Sequence, residues 1–442
     1  MEGNMMDEGE NNRDLEVAPA LIAVHPLHKF IAISVGSDLR VFDIQEDCSI
    51  SLADDSGGPL HKDSIRAICF GAKGKIFVSG GDDKLVKIWT TDSWHCKSTL
   101  CSEKRVSAVA IRNDELFVCF ADKFGVVWVV DLDEFNENHA VVHKKATPIL
   151  SHYCSIITSL EFSPDGRFII SADRDFKIRV TVFPKEPFDG AHEIQSFCLG
   201  HTEFVSCLDF GCSLDYPEGF LVSGGGDSTV RLWDIGCGSL LDTCDVGTEV
   251  AHLFGKKSCS KAGLLQSNGR EEECYPAVTD LCVTHDATIV AVAVQSLQGI
   301  MLLSCNLADK ILSVIKVVSI TKGTFIPTSI GTSRSADFLW MVTGVSNLQG
   351  FDSPSLARVR VVSGFKQSDH ELEPTFLEDD EIPGKGKLLQ VLQGSVSIED
   401  KVFLAAAEAL KMAMSNLLIK KQYSVERRDF RKRRRNDRKM KQ

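Results

Sequence analysis

Apolar and polar residues alternate over short stretches, separated by small and acidic residues, and the whole unit recurs. The stretch Ser79-Gly80-Gly81-Asp82-Asp83-Lys84-Leu85-Val86-Lys87-Ile88-Trp89 returns as Ser223-Gly224-Gly225-Gly226-Asp227-Ser228-Thr229-Val230-Arg231-Leu232-Trp233-Asp234. Two weaker copies run from Ser171 to Thr181 and from Asp122 to Trp128. Each predicts a strand, a tight turn rich in Gly and Asp, and a second, half-buried strand. In all four an Asp (Asp83, Asp122, Asp175, Asp227) stands six residues before the Trp or its substitute.

Further units follow the same pattern, giving seven in all: 21–43, 61–90, 104–131, 152–182, 201–234, 278–306 and 324–362. At about fifty residues per unit the period suits a propeller blade with long loops. Upstream of the clearest copy stands Gly200-His201, thirty-two residues before Trp233. This resembles the Gly-His to Trp-Asp pattern of WD repeats, which implies an all-β, seven-bladed propeller over residues 18–366. The same resemblance implies that His201, Ser223, Asp227 and Trp233, with Asp83 and Trp89 in the second unit, form structural networks inside blades.

Outside the ring, residues 1–17 hold six acids against Arg13 and are expected to be disordered. Residues 367–396 begin with an acidic run and read as a linker. Ser397-Ile398-Glu399-Asp400 has capping-box spacing, and Phe403, Ala407, Leu410, Met414 and Leu417 recur at helical spacing, so a helix is predicted over about 399–421. Its apolar stripe suits packing on the body or docking to a partner.

The chain carries 49 Lys and Arg against 61 Asp and Glu, a net of −12. Residues 420–442 alone sum to +9, which leaves −21 for residues 1–419. The basic tail holds Arg427, Arg428, Arg431, Lys432, Arg433, Arg434 and Arg435, a run fitting a nuclear import signal, an RNA-phosphate contact or a solvated end. A nuclear location is the expectation. The fifteen cysteines are odd in number and include no Cys-x-x-Cys, which favours buried, reduced thiols over a disulfide framework. With no secretory-type apolar run at the start and no long apolar span, a soluble intracellular protein is expected.

No constellation for catalysis emerges. There is no phosphate-binding Gly-x-x-x-x-Gly-Lys-Ser/Thr and no Gly-x-Ser-x-Gly nucleophile turn. Gly224-Gly225-Gly226 sits in a hairpin and opens no helix, as a phosphate cradle would. His139 and His143 are spaced like metal ligands but lack an obvious third. No catalytic, cofactor-binding or metal-binding residue is assigned, and a rigid surface for macromolecules is the default function.

Two segments narrow the choice. Ser171-Ala172-Asp173-Arg174-Asp175-Phe176-Lys177-Ile178-Arg179-Val180 and Ser196-Phe197-Cys198-Leu199-Gly200-His201-Thr202-Glu203-Phe204-Val205-Ser206 resemble the WD-repeat non-catalytic subunit of tRNA (guanine-N7)-methyltransferases. That resemblance implies a heterodimer in which a catalytic partner holds S-adenosylmethionine, while this chain binds no cofactor, stabilises the partner and helps seat tRNA. Alternation places Phe176, Ile178 and Val180 on one face and Lys177 and Arg179 on the other. Asp173, Arg174, Lys177 and Arg179 either form an internal network or, as the family pattern implies, pair with the partner. Phe176 departs from that pattern, which has a charged residue there, and Thr181 replaces the blade's Trp. Competing readings are a substrate receptor of a ubiquitin ligase, a ribosome-assembly or chromatin scaffold, and an enzyme with its site in the channel. The first lacks the Arg of Trp-Asp-x-Arg, since Trp233-Asp234-Ile235 is followed by Gly236.

Overall fold

A computed structural model describes residues 17–54, 57–132, 146–152, 155–213, 216–254, 276–320, 324–335, 337–346, 355–364, 374–393 and 400–418. Seven antiparallel sheets form the blades of one propeller; six are continuous in sequence, and the seventh also takes in Ala18–Pro19. Blade 1 runs from Leu21–Val24 to Cys48–Ile50, blade 2 from Ile65–Phe70 to Cys96–Cys101, and blade 3 from Val106–Ile111 to Thr147–Ser151. Blade 4 spans Ile157–Phe162 to Ile194–Leu199, blade 5 Val205–Gly211 to Ser239–Asp245, and blade 6 Val278–Val283 to Ile311–Ser319. Blade 7 is built from Ser329–Thr332, Phe338–Ser346, Ser355–Ser363 and Thr375–Phe376.

The first strand of each blade lines a central channel, and the fourth lies at the rim. Middle strands such as Ile76–Gly81 and Ile289–Val294 are buried along their whole length, because each sheet packs against a neighbour on both faces. The core is therefore divided into seams. Val78, Val86 and Ile88 meet Val109, Val118 and Phe120 between blades 2 and 3, while Ile170, Ile178 and Val180 meet Leu221 and Trp233 between blades 4 and 5.

Ring closure joins distant parts of the chain. Ala18–Pro19 pairs with Phe338–Ser346, Ala20 N donates to Gly344 O at 2.8 Å, and Thr328 Oγ1 donates to Ala20 O at 2.8 Å. Helix α1 (Val246–Phe254) follows blade 5 and buries Val246 and Val250 in the seam to blade 6.

The interval expected as a linker, 367–396, contains the outer strand of blade 7 and helix α2 (Lys385–Gln393). Leu388, Leu389 and Leu392 enter the seam between blades 7 and 1 beside Phe42 and Val359. Arg40 Nη1 donates to Leu392 O at 2.9 Å, capping the helix end. Apolar burial thus overrides the acidic composition, and the segment straps the closure.

Helix α3 is Asp400–Leu418. It buries Phe403, Ala406 and Leu410 against Val345 and Leu356, so Ala406 takes the inward place expected for Ala407. Packing on the body accounts for the stripe as far as Leu410. Residues 1–16 and 419–442, including the basic tail, lie outside the described residues, as do His139 and His143. The twelve described cysteines are unpaired; Cys48, Cys101 and Cys237 are exposed, contrary to the expectation of burial. No described helix is long and apolar enough to cross a membrane.

Candidate partner-binding site

The blade networks fix the turns that carry the site. In blade 5, His201 Nδ1 lies 3.0 Å from Asp227 and Nε2 2.7 Å from Ser223 Oγ, which also accepts from Trp233 Nε1 at 2.8 Å. Blade 2 repeats this with His61, Asp83, Ser79 and Trp89 at 2.8, 2.9 and 3.2 Å. Asp227 is held down to about 2: the His201 contact and the N–H donors outweigh the opposing effect of burial, which is the largest single influence.

Blades 3 and 4 differ from the pattern read in the sequence. His152 pairs with Asp173 at 2.9 Å and Ser171 at 2.7 Å; Asp175, the residue picked out by the six-residue offset, is not its partner. Trp128 lies opposite Phe120, whereas Lys87 lies opposite Ser79, so Trp128 stands two residues out of register with Trp89. Asp122 and Asp173 end their strands and cap the following turns from before them: Asp122 accepts from Phe124 N and Val126 N, and Asp173 from Asp175 N and Lys177 N. Asp173 is consequently buried and committed inward, not presented to a partner as expected.

The register isolates one cation. Lys87, Arg179 and Arg231 each lie directly opposite the network serine of their blade, Ser79, Ser171 and Ser223. Lys87 Nζ is 2.6 Å from Asp54, and Arg231 Nη2 is 3.4 Å from Asp227. Arg179 instead donates from Nη1 to Ser151 O of blade 3 at 3.2 Å, and its Nε is buried with no hydrogen-bond partner. Among the described residues no carboxylate oxygen approaches it within 4.0 Å, and burial lowers the guanidinium from its ordinary range, with Asp173 opposing that shift.

Lys177 is exposed beside Arg179, and Arg174 anchors its backbone N–H on Ile156 O at 2.9 Å. Phe176 does not share the face of Ile178 and Val180 as alternation predicted: it occupies the turn at φ +69°, while those two are buried.

The channel, about 710 Å³, is lined by the inner strands and carries Glu161, Asp209 and Asp280. Asp209 Oδ2 accepts from Val283 N at 2.7 Å and Asp280 Oδ2 from Ile330 N at 2.9 Å, so each braces the next blade. Among the described residues no cluster of three His, Cys, Asp or Glu is placed to hold a metal.

This architecture defines a WD-repeat β-propeller, and residues 59–90 match the family model "WD domain, G-beta repeat". Residues 136–335, which hold blade 4 and Arg179, match the model described as "tRNA methyltransferase TRM82 WD40 domain". Among curated relatives, the chain is similar to the "tRNA (guanine-N(7)-)-methyltransferase non-catalytic subunit" of Danio rerio, with 40% identity over 42% of this chain and 41% of that one. Similarity to the subunit of the same name in Homo sapiens is 34% over 50% and 51%, and in Xenopus laevis 29% over 75% and 76%. The chain spans about half the length of the curated relatives it matches, and three quarters of the Xenopus protein. The resemblance carried by residues 171–180 and 196–206, in blade 4 and its junction with blade 5, is borne out by these matches. Solved structures titled "Structure of U3-55K" (TM-score 0.57, 17% identity, 74% of this chain and 88% of that one) and "Crystal structure of RRP9 WD40 repeats" (TM-score 0.56, 18%, 74% and 87%) share the fold.

Proposed function

We propose that the chain is the non-catalytic subunit of a tRNA guanine-N7 methyltransferase and grips the catalytic chain through blade 4. The observation that carries this reading is Arg179: a half-buried guanidinium without the carboxylate that its counterparts Lys87 and Arg231 possess, inside the segment matching the TRM82 model. A carboxylate of the partner completes the pair, and Lys177 adds to the local field. The partner binds S-adenosylmethionine and transfers the methyl group, while the propeller holds it in its active form and helps position tRNA.

The body is acidic, so the Arg-rich tail from Arg427 to Arg435 is the proposed phosphate-binding element, and it doubles as a nuclear import signal. Deleting residues 427–442 flattens the slope of log affinity against log salt for tRNA by about 0.7–0.9 for each phosphate that the tail neutralises.

Co-expression with a candidate catalytic chain, followed by methyl transfer to tRNA, tests the function. Activity is expected only for the pair. Arg179→Leu lowers association by about 2 kcal/mol or more while the free propeller stays folded. Methyl transfer by this chain alone, or recovery of a ubiquitin ligase or pre-ribosomal proteins in place of a methyltransferase from the native source, overturns the reading.

A further inference from the structure

The exposed phenylalanines are not scattered. Among the described residues all four, Phe124, Phe176, Phe188 and Phe197, lie in blades 3 and 4. Three of them lie on the two hairpins that carry and flank Arg179, Phe124 with Lys104 Nζ 5.1 Å from its ring centre. Phe197 stands directly opposite Arg179 on the rim strand of blade 4, and Leu199 directly opposite Lys177, so these side chains share one face. Phe124 tips the turn of blade 3, whose Gly125 O accepts from His152 N, next to the Ser151 carbonyl that holds Arg179. Phe124 is 60% exposed, Phe176 39%, Phe197 43% and Leu199 61%.

Phe176 bears a second mark. Its turn position is left-handed in blades 2, 3 and 5 as well, where it is filled by Lys84 at φ +66°, Gly125 at +84° and Ser228 at +59°. A bulky aromatic there is disfavoured by contact of its Cβ with the backbone. A ring left 39% exposed returns to folding only part of what full burial would, against the strain of its backbone; strain of this kind is kept at sites where the side chain does work elsewhere.

We infer that Phe124, Phe176, Phe197 and Leu199 form an apolar rim that seals Arg179 from water on docking, and that the surface fits a protein presenting one carboxylate at the centre of an apolar patch. A lone surface ion pair is screened by salt and stabilises little. The same pair enclosed by apolar groups keeps its strength, and such desolvated centres dominate binding. The rim also replaces with apolar contact the charge that the family pattern has at Phe176. This inference rests on the proposed partnership, and its occupant is the catalytic chain.

The affinity of the full chain for its catalytic partner is measured at 50 mM and 500 mM NaCl for the parent, Phe176→Gly, Phe197→Ser, Leu199→Ser and Arg179→Leu, with melting of each free propeller in parallel. Expected are a less than threefold loss for the parent between the two salts, at least tenfold weaker binding for Phe176→Gly and Leu199→Ser at both, and a free Phe176→Gly propeller that melts no lower than the parent. A fold defect cannot produce that combination. If the three rim variants bind within twofold of the parent while Arg179→Leu does not, or if parent binding collapses at 500 mM NaCl, the rim falls and the partnership stands. If the parent does not bind the catalytic chain at all, both fall.

Discussion

Lys87 Nζ stands 2.6 Å from Asp54 Oδ2, and both side chains are almost wholly enclosed. Asp54 comes from the crossing between blades 1 and 2, which reaches over the rim and makes a bridge from Ala53 to His95. The pair therefore pins a connecting segment over blade 2. Removing one partner strands a buried charge: Asp54→Ala is expected to cost about 3–5 kcal/mol in urea unfolding. The double variant Asp54→Leu, Lys87→Met is expected to recover most of that loss, since a buried pair replaced by apolar groups is often neutral. Equal losses in the single and double variants would show that the segment, not the charge, is what matters.

Ser223 and Ser171 provide a comparison within one molecule. Ser223 Oγ serves both His201 and Trp233, at 2.7 and 2.8 Å, whereas Ser171 Oγ serves only His152 of these, at 2.7 Å, because blade 4 has Thr181 in place of Trp. Ser223→Ala leaves two buried groups without a partner and is expected to cost about 2–4 kcal/mol; Ser171→Ala, leaving one, about 1–2 kcal/mol. Urea unfolding of both variants checks the ratio. Indistinguishable losses would mean that Trp233 finds another acceptor.

The number of blades and the networks of blades 2 and 5 were legible in the sequence because strand, turn and strand recur with fixed spacing around His, Ser, Asp and Trp. The networks of blades 3 and 4 were not. A carboxylate caps the same turn from either side, from Asp83 within it or from Asp122 and Asp173 just before it, and counting residues from the Trp cannot tell the two apart. Helix α2 was hidden by the acids preceding it, although Leu388, Leu389 and Leu392 already had helical spacing. Arg179 was visible as a cation. That it lacks a carboxylate emerges only from the register that sets it beside Lys87 and Arg231.

Acid acts on the ring closure through His28. Trp340 Nε1 donates to His28 Nε2 at 3.0 Å across the seam between blades 7 and 1, so the imidazole must be neutral. Burial, with a smaller push from His25, holds His28 down to about 4, against about 6.5 in an unfolded chain. Below the unfolded value the denatured chain binds the proton more readily than the native one, so this contribution is present above about pH 6.5 and is lost as pH falls toward 4. His28→Gln keeps an acceptor for Trp340 and does not titrate; its unfolding free energy is expected to vary less between pH 7 and 4 than that of the parent. Parallel profiles would remove His28 from the acid response.

The channel carboxyls act with the opposite sign. Burial pushes Asp209 and Asp280 up to about 6, against the pull of the backbone N–H groups they accept from, and pushes Glu161 well above the ordinary range with help from the charges of the other two. Solvent reaches them only along the channel. Groups raised in this way contribute stability that is full below about pH 4, the unfolded value, and lost as pH rises through the raised value, about 6 for Asp209 and Asp280. Asp209 and Asp280 recover part of the loss by holding Val283 N and Ile330 N of the next blades. Glu161 instead faces two like charges from the inner strand of blade 4. Glu161→Gln is therefore expected to melt higher than the parent at pH 8, the gap closing as pH falls and vanishing near pH 4. Asp209→Asn, which sacrifices an acceptor bracing blade 6, is expected to gain less at pH 8 and to melt below the parent at pH 4. A Glu161→Gln gap of constant size from pH 4 to 8 would trace the gain to packing and clear the carboxyl of any part in the pH response.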